Sequence, residues 1–192
     1  MTDWENERDG CTFLIDGIPY TALEEPDLHW LRPYGTVFQV IDRQFSGKLF
    51  FLQNNYASYR DWAIVGTKGY AFEGPYYLDG KGQIIGWDQE KEERAKKLVE
   101  REAGRLTRAL DMARADGYGK IIMFLHYPPT SFLEKDSRFT KIAEEYDVEQ
   151  VIYAHCHGKR RFHDSIQGEY NGRIYRLVSG DFLDWMPVKI LD

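Results

Sequence analysis

Lys120-Ile121-Ile122-Met123-Phe124-Leu125-His126 and Gln150-Val151-Ile152-Tyr153-Ala154-His155-Cys156-His157 are two apolar runs that each stop at a histidine. Continuous apolar runs of this length, rich in β-branched and aromatic residues, read as strands buried on both faces. Between them Ser137 precedes Phe139, Ile142, Ala143 and Tyr146, the cap and apolar stripe of a short helix. Ahead of them Asp88 can cap a long helix running to about Ala115 and ended by Gly117. Ala95, Val99, Ala103, Leu106, Leu110 and Ala113 recur at spacings of three and four and give that helix one apolar face. The pairs Glu92/Lys96 and Glu93/Lys97 place its charge run on the solvent side. Helix and strand alternate over 88–154, which predicts an α/β sheet with helices packed on it.

Working upstream, Tyr56–Tyr59 and Trp62–Thr67 flank Arg60-Asp61 like the arms of a hairpin, and Asn54-Asn55 is a turn signal. Leu49–Leu52 is a compact strand candidate. Residues 69–87 are rich in Gly, Tyr and Pro and read as a long loop, a kind of segment that often carries function. Its aromatics Tyr70, Phe72, Tyr76 and Tyr77 suit either a substrate pocket or a cover over the core. Downstream, Arg173–Ser179 reads as a third strand and Val188–Leu191 as a fourth. The first 47 residues resist organisation: Thr12–Ile15 and Val37–Ile41 are short apolar runs, and Pro26 and Pro33 interrupt anything longer. A single domain over 1–192, atypical at 1–47, is the expectation.

With 192 residues the chain can bury a substantial core. Its 43% hydrophobic and 29% charged residues set it apart from disordered sequences. A net charge of −6 argues against a nucleic-acid partner, because neutralising phosphates needs a basic surface. Cys11 and Cys156 are too few to form a disulfide framework, which points to a reducing, cytoplasmic setting. The charged amino terminus has no apolar signal region, and no stretch approaches the roughly 20 apolar residues of a membrane helix.

Three of the five histidines stand at the carboxyl ends of expected strands, the edge where ligands bind in open α/β sheets. In extended backbone His155 and His157 would point to one side and Cys156 to the other. Two imidazoles from one strand end and a third from its neighbour make a plausible shell for a transition metal. His163, beside Lys159, Arg160 and Arg161, reads as part of a solvated basic turn that can also meet an anion.

The two histidine segments resemble those of calcineurin-like metallophosphoesterases. Ile122 to Pro129 is similar to the family strand that ends in a metal-binding histidine, and Val151 to Gly158 looks like its Gly-His-x-His segment. The order of hairpin, long helix and strands over 48–192 also matches. So does Gly168-Glu169-Tyr170-Asn171-Gly172, as it occurs in a bacterial branch. The resemblance implies a sheet sandwich flanked by helices, shortened here at the amino-terminal side. It implies a divalent transition metal (Mn, Fe or Zn, one or two ions), with His126 and His155 on one ion and His157 on the other. The activity implied is hydrolysis of a phosphate mono- or diester, in which metal ions clamp the ester and activate a water.

The family's amino-terminal motifs are not in their expected setting. Asp27-Leu28-His29 spells Asp-x-His, but Glu24-Glu25-Pro26 precedes it in place of an apolar strand. Gly180-Asp181 follows a strand but comes last, where the family's Gly-Asp comes early. Asp27, His29 and Asp181 are therefore further metal candidates. Ala154 stands where the family has glycine, which strains the loop if that position needs a positive φ. The missing carboxylates favour the alternative of a non-catalytic or truncated relative that acts as a binding or regulatory module.

Overall fold

The computed structural model describes residues 12–15, 18–21, 52, 54–70, 76–78, 84–131 and 135–191. The chain divides into two compact units, Met1–Phe51 with Lys189–Asp192, and Leu52–Val188. In the first, β1 (Thr12–Ile15) pairs antiparallel with β2 (Ile18–Thr21). The Thr12–Ile15 run is thus a strand, and Val37–Ile41 lies outside the described residues.

The second unit is built on a six-stranded sheet. Along the chain it runs β3 (Tyr56–Tyr59), β4 (Trp62–Thr67), β5 (Tyr76–Leu78), β6 (Ile84–Trp87), α1 (Gln89–Ala115), β7 (Lys120–Leu125), α2 (Arg138–Glu145), β8 (Gln150–Tyr153), β9 (Gly168–Tyr170) and β10 (Arg173–Leu177). The sheet order is β3-β4-β7-β8-β10-β9. β4, β7, β8 and β10 are parallel neighbours, and the edge strands β3 and β9 run antiparallel to theirs. The chain is therefore of the α/β class, with four strands delivering their carboxyl ends to one edge.

The helices form where the side-chain pattern requires. Asp88 accepts from Lys91 N at 2.9 Å and caps α1, and Glu92 pairs with Lys96 on the outer face. Ala103, Leu106, Ala109, Leu110 and Ala113 bury the inner face of α1 in a core shared with Ala63, Val65, Ile121, Met123 and Val151. Ser137 caps α2 by accepting from Phe139 N and Thr140 N, and its hydroxyl donates to Pro129 O, which ties the helix to the segment after β7.

One buried charge was invisible in the apolar pattern. Glu102, 1% exposed, accepts from Thr67 Oγ1 at 2.5 Å, Arg105 Nη1 at 2.7 Å and Arg101 Nε at 3.1 Å. These three donors compensate its carboxylate, so it binds α1 to the carboxyl end of β4 without a stranded charge.

Three expectations need correction. Residues 69–87 are not all loop, because β5 and β6 pair as a hairpin with an irregularity at Tyr77/Leu78. The Asp79-Gly80 dipeptide between them is a hairpin signal that the Gly- and Pro-rich surroundings obscured. Val188–Leu191 has no regular structure: Pro187 lacks an N–H for a ladder, and Val188 is exposed. The third strand stops at Leu177, short of Ser179.

Candidate functional site

The parallel strands release Lys68-Gly69-Tyr70 (after β4), His126-Tyr127 (after β7), Ala154 to Gly158 (after β8) and Val178 to Asp181 (after β10) at the common edge. Backbone bonds continue the ladder past the strand ends. Tyr127 N donates to Lys68 O, Ala154 N to His126 O, and Val178 N to Tyr153 O. This fixes the relative heights of the four segments.

His126 and His155 meet across the β7–β8 boundary, with ring centroids 5.2 Å apart and planes at 68°. Tyr127 completes the group, 5.1 Å from His126 and 4.3 Å from His155. Lys68 places its ammonium 5.4 Å from the Tyr127 ring centroid, and the Tyr70 ring lies 5.9 Å from that of Tyr127. Lys68 and Tyr127 were not singled out from sequence. The signal available was their position, each just beyond a parallel strand.

The expected alternation of His155 and His157 on one extended strand does not hold. β8 ends at Tyr153, and Cys156 N donates to Ala154 O at 2.8 Å around a His155 with φ of 66°. That is a γ-turn of the rare, strained kind, with a non-glycine residue at its apex. Ala154 itself is not in the left-handed region. The strain anticipated at Ala154 falls instead on His155, at about 1–3 kcal/mol. The turn swings the His155 ring against His126, while Cys156 is fully buried in the core. Glycine would relax this backbone. His155→Gly is therefore expected to hold or raise the unfolding midpoint while deleting a ring from the site. A marked fall would show that ring packing, not chemistry, justifies the strain.

His157 is held by a different partner. Its Nδ1 lies 3.0 Å from Asp181 Oδ1, and Gly158 N donates to Asp181 Oδ2 at 2.6 Å. Burial works against ionisation of Asp181, but the Gly158 N–H and the His157 ring outweigh it and hold the carboxyl below its ordinary value of 3.8. An ionised carboxylate only accepts, so Nδ1 donates to it, and Nε2 is the ring nitrogen left for another contact. A carboxylate behind an imidazole is also how metal-binding histidines are oriented. Because the folded pKa is depressed, this contact stabilises the fold above the unfolded pKa and is lost as pH falls through the folded value. Acid unfolding of Asp181→Asn is thus expected to lose part of its pH dependence below 3.8, read from urea midpoints across that range.

The sequence candidates therefore separate into groups. His126 and His155 are in ring contact, His157 is joined to Asp181, and Asp27 and His29 lie outside the described residues. Among the described residues no three His, Cys, Asp or Glu side chains gather closely enough to hold an ion. Imidazoles sharing a tetrahedral ion, with metal–nitrogen bonds near 2.0–2.1 Å, hold their ring centres roughly 5 Å apart. The observed separation is of that size, which is equally that of two rings packed edge to face.

His163 lines a separate open cleft of about 190 Å³ with Thr130, Ser131, Lys135 and Ser165. Asn54, at φ 65°, occupies a turn and accepts from Arg108 Nε. Among the described residues no helix is long and apolar enough to cross a membrane. No family model, curated protein or solved structure matches the chain.

Proposed function

We propose that the chain is a metal-dependent phosphoesterase acting on a phosphate mono- or diester, in the manner of the calcineurin-like metallophosphoesterases it resembles. In this reading the six-stranded sheet is one layer of that family's sandwich. The observation that carries it is the His126–His155 pair, set by a strained turn at the carboxyl edge of four parallel strands. A divalent ion such as Mn, Fe or Zn, held by this pair, would supply Lewis acidity to the ester and to water. Lys68, beside Tyr127, brings positive charge toward the phosphoryl oxygens. Asp181 fixes the ring orientation of His157 and so presents Nε2 at the same edge. The described residues offer no dedicated acid for the leaving group.

That last point sets the test. An aryloxide leaves phosphorus with little assistance and an alkoxide does not, so Mn-dependent hydrolysis is expected on an aryl ester and very weakly on alkyl esters. His126→Ala should abolish it. Robust alkyl-ester turnover that collapses in His29→Ala would instead place a complete site on residues near Asp27. Bound metal with no turnover of any ester would favour the non-catalytic binding module.

A further inference from the structure

We propose that Trp185 is a stacking platform for a flat aromatic or heterocyclic group of the substrate, and so sets which esters the site accepts. The identity of the reacting end rests on the phosphoesterase reading; the platform itself stands on its own observations. After β10 the chain winds through a tight loop in which Phe182 N and Leu183 N donate to Ser179 O, and Trp185 N donates to Gly180 O at 2.8 Å. Phe182 anchors one side of that loop, edge-on to Phe162 with centroids 5.1 Å apart. On the other side Asp184 and Trp185 both stand in the left-handed region, at φ 50° and 59°. Neither is a glycine. Two consecutive L-residues in that region are unfavourable in isolation, and strain of this kind persists where the surroundings impose it.

The strained loop lays the Trp185 ring against Gly180. A Cβ at Gly180 would lie 2.6 Å from Trp185 Cζ3 and 2.7 Å from Cε3, so only glycine lets the ring sit there. With one side of the ring in contact with the backbone, the residue is still 76% exposed. An indole fixed on one side and open on the other can stack a ring in a way a freely rotating surface tryptophan cannot. Its position completes the argument. Gly180 is covalently joined to Asp181, whose carboxylate holds His157, so the platform stands beside the His157–Asp181 pair at the carboxyl edge.

The test uses the full chain and adenosine, which has a flat base and no phosphate, and so binds without metal or turnover. The Trp185 indole N–H resonance, assigned by its loss in Trp185→Phe, is followed as adenosine is added. It is expected to move and saturate. Trp185→Ala should weaken adenosine binding roughly tenfold, with Trp185→Phe retaining part of it, in line with stacking worth about 1–3 kcal/mol per base. Gly180→Ala should weaken it as much as Trp185→Ala although the indole is still present. Adenosine that leaves the Trp185 resonance unmoved, or that binds Trp185→Ala as tightly as wild type, overturns the proposal. A resonance that moves with protein concentration in place of adenosine also overturns it, and makes the exposed Trp185–Met186 surface a contact between copies of the chain. Because no ester is cleaved in this experiment, its outcome is independent of whether the chain proves to be a phosphoesterase.

Discussion

His155→Ala is expected to lower the affinity for Mn²⁺ or Zn²⁺ by more than about 100-fold, since even the residues behind a metal ligand are worth about 10–100-fold. The imidazoles of His126 and His155 are centred 5.2 Å apart, so removing either leaves a single nitrogen from this pair. His126→Ala should therefore match it, and His163→Ala, whose ring lines another cleft, should leave affinity unchanged. The stoichiometry before mutation is expected to lie nearer one ion per chain than two. Adjacent dications repel, and among the described residues no carboxylate bridges the pair. Isothermal titration reads both quantities. Two tightly held ions would mean that carboxylates outside the described residues join the site, Asp27 first among them.

The second large effect is on stability. Leu106 lies midway along α1, fully buried against the sheet that carries both histidines. Leu106→Ala removes that packing and leaves a cavity that neighbours on α1 and the sheet can close only in part, at about 3–5 kcal/mol. The unfolding free energy from urea titration should fall by that amount. Met112, on the same helix and 49% exposed, is the control, and Met112→Ala should stay within about 0.5 kcal/mol. A Leu106→Ala protein as stable as wild type would mean that α1 is not packed on the sheet as described.

Long periodic elements were legible because their pattern has few readings. The helix from Asp88 to Ala115, the hairpin at Arg60-Asp61 and the strands ending at His126 and His155 follow from apolar spacing and caps alone. What escaped were features decided by backbone geometry or by partners distant in sequence. The β5–β6 hairpin lies in a composition that reads as loop. β9 is three residues long and is a strand only because β10 is beside it. Glu102 sits on the apolar face of α1 and is buried by Thr67 and two arginines, a compensation no helical period reveals.

The site followed the same division. That His126 and His155 would share an edge was readable, because parallel neighbouring strands that each end in histidine can deliver them nowhere else. The positive φ at His155, which parts it from His157, was not readable, since nothing in Ala-His-Cys-His marks the second residue for a γ-turn. Nor was the pairing of His157 with Asp181, which depends on β10 lying next to β8. Asp181 was a candidate for its Gly-Asp spelling. Its position in the structure makes it the group that orients His157.

That His126 and His155 bind one ion together is the central proposal. Pulsed electron paramagnetic resonance of the Mn²⁺-loaded full chain reports nitrogen nuclei coordinated to the metal. Two imidazole nitrogens in wild type, reduced to one in His126→Ala and in His155→Ala, are expected. A bound Mn²⁺ with no nitrogen coupling, or a spectrum unchanged by either substitution, would contradict it.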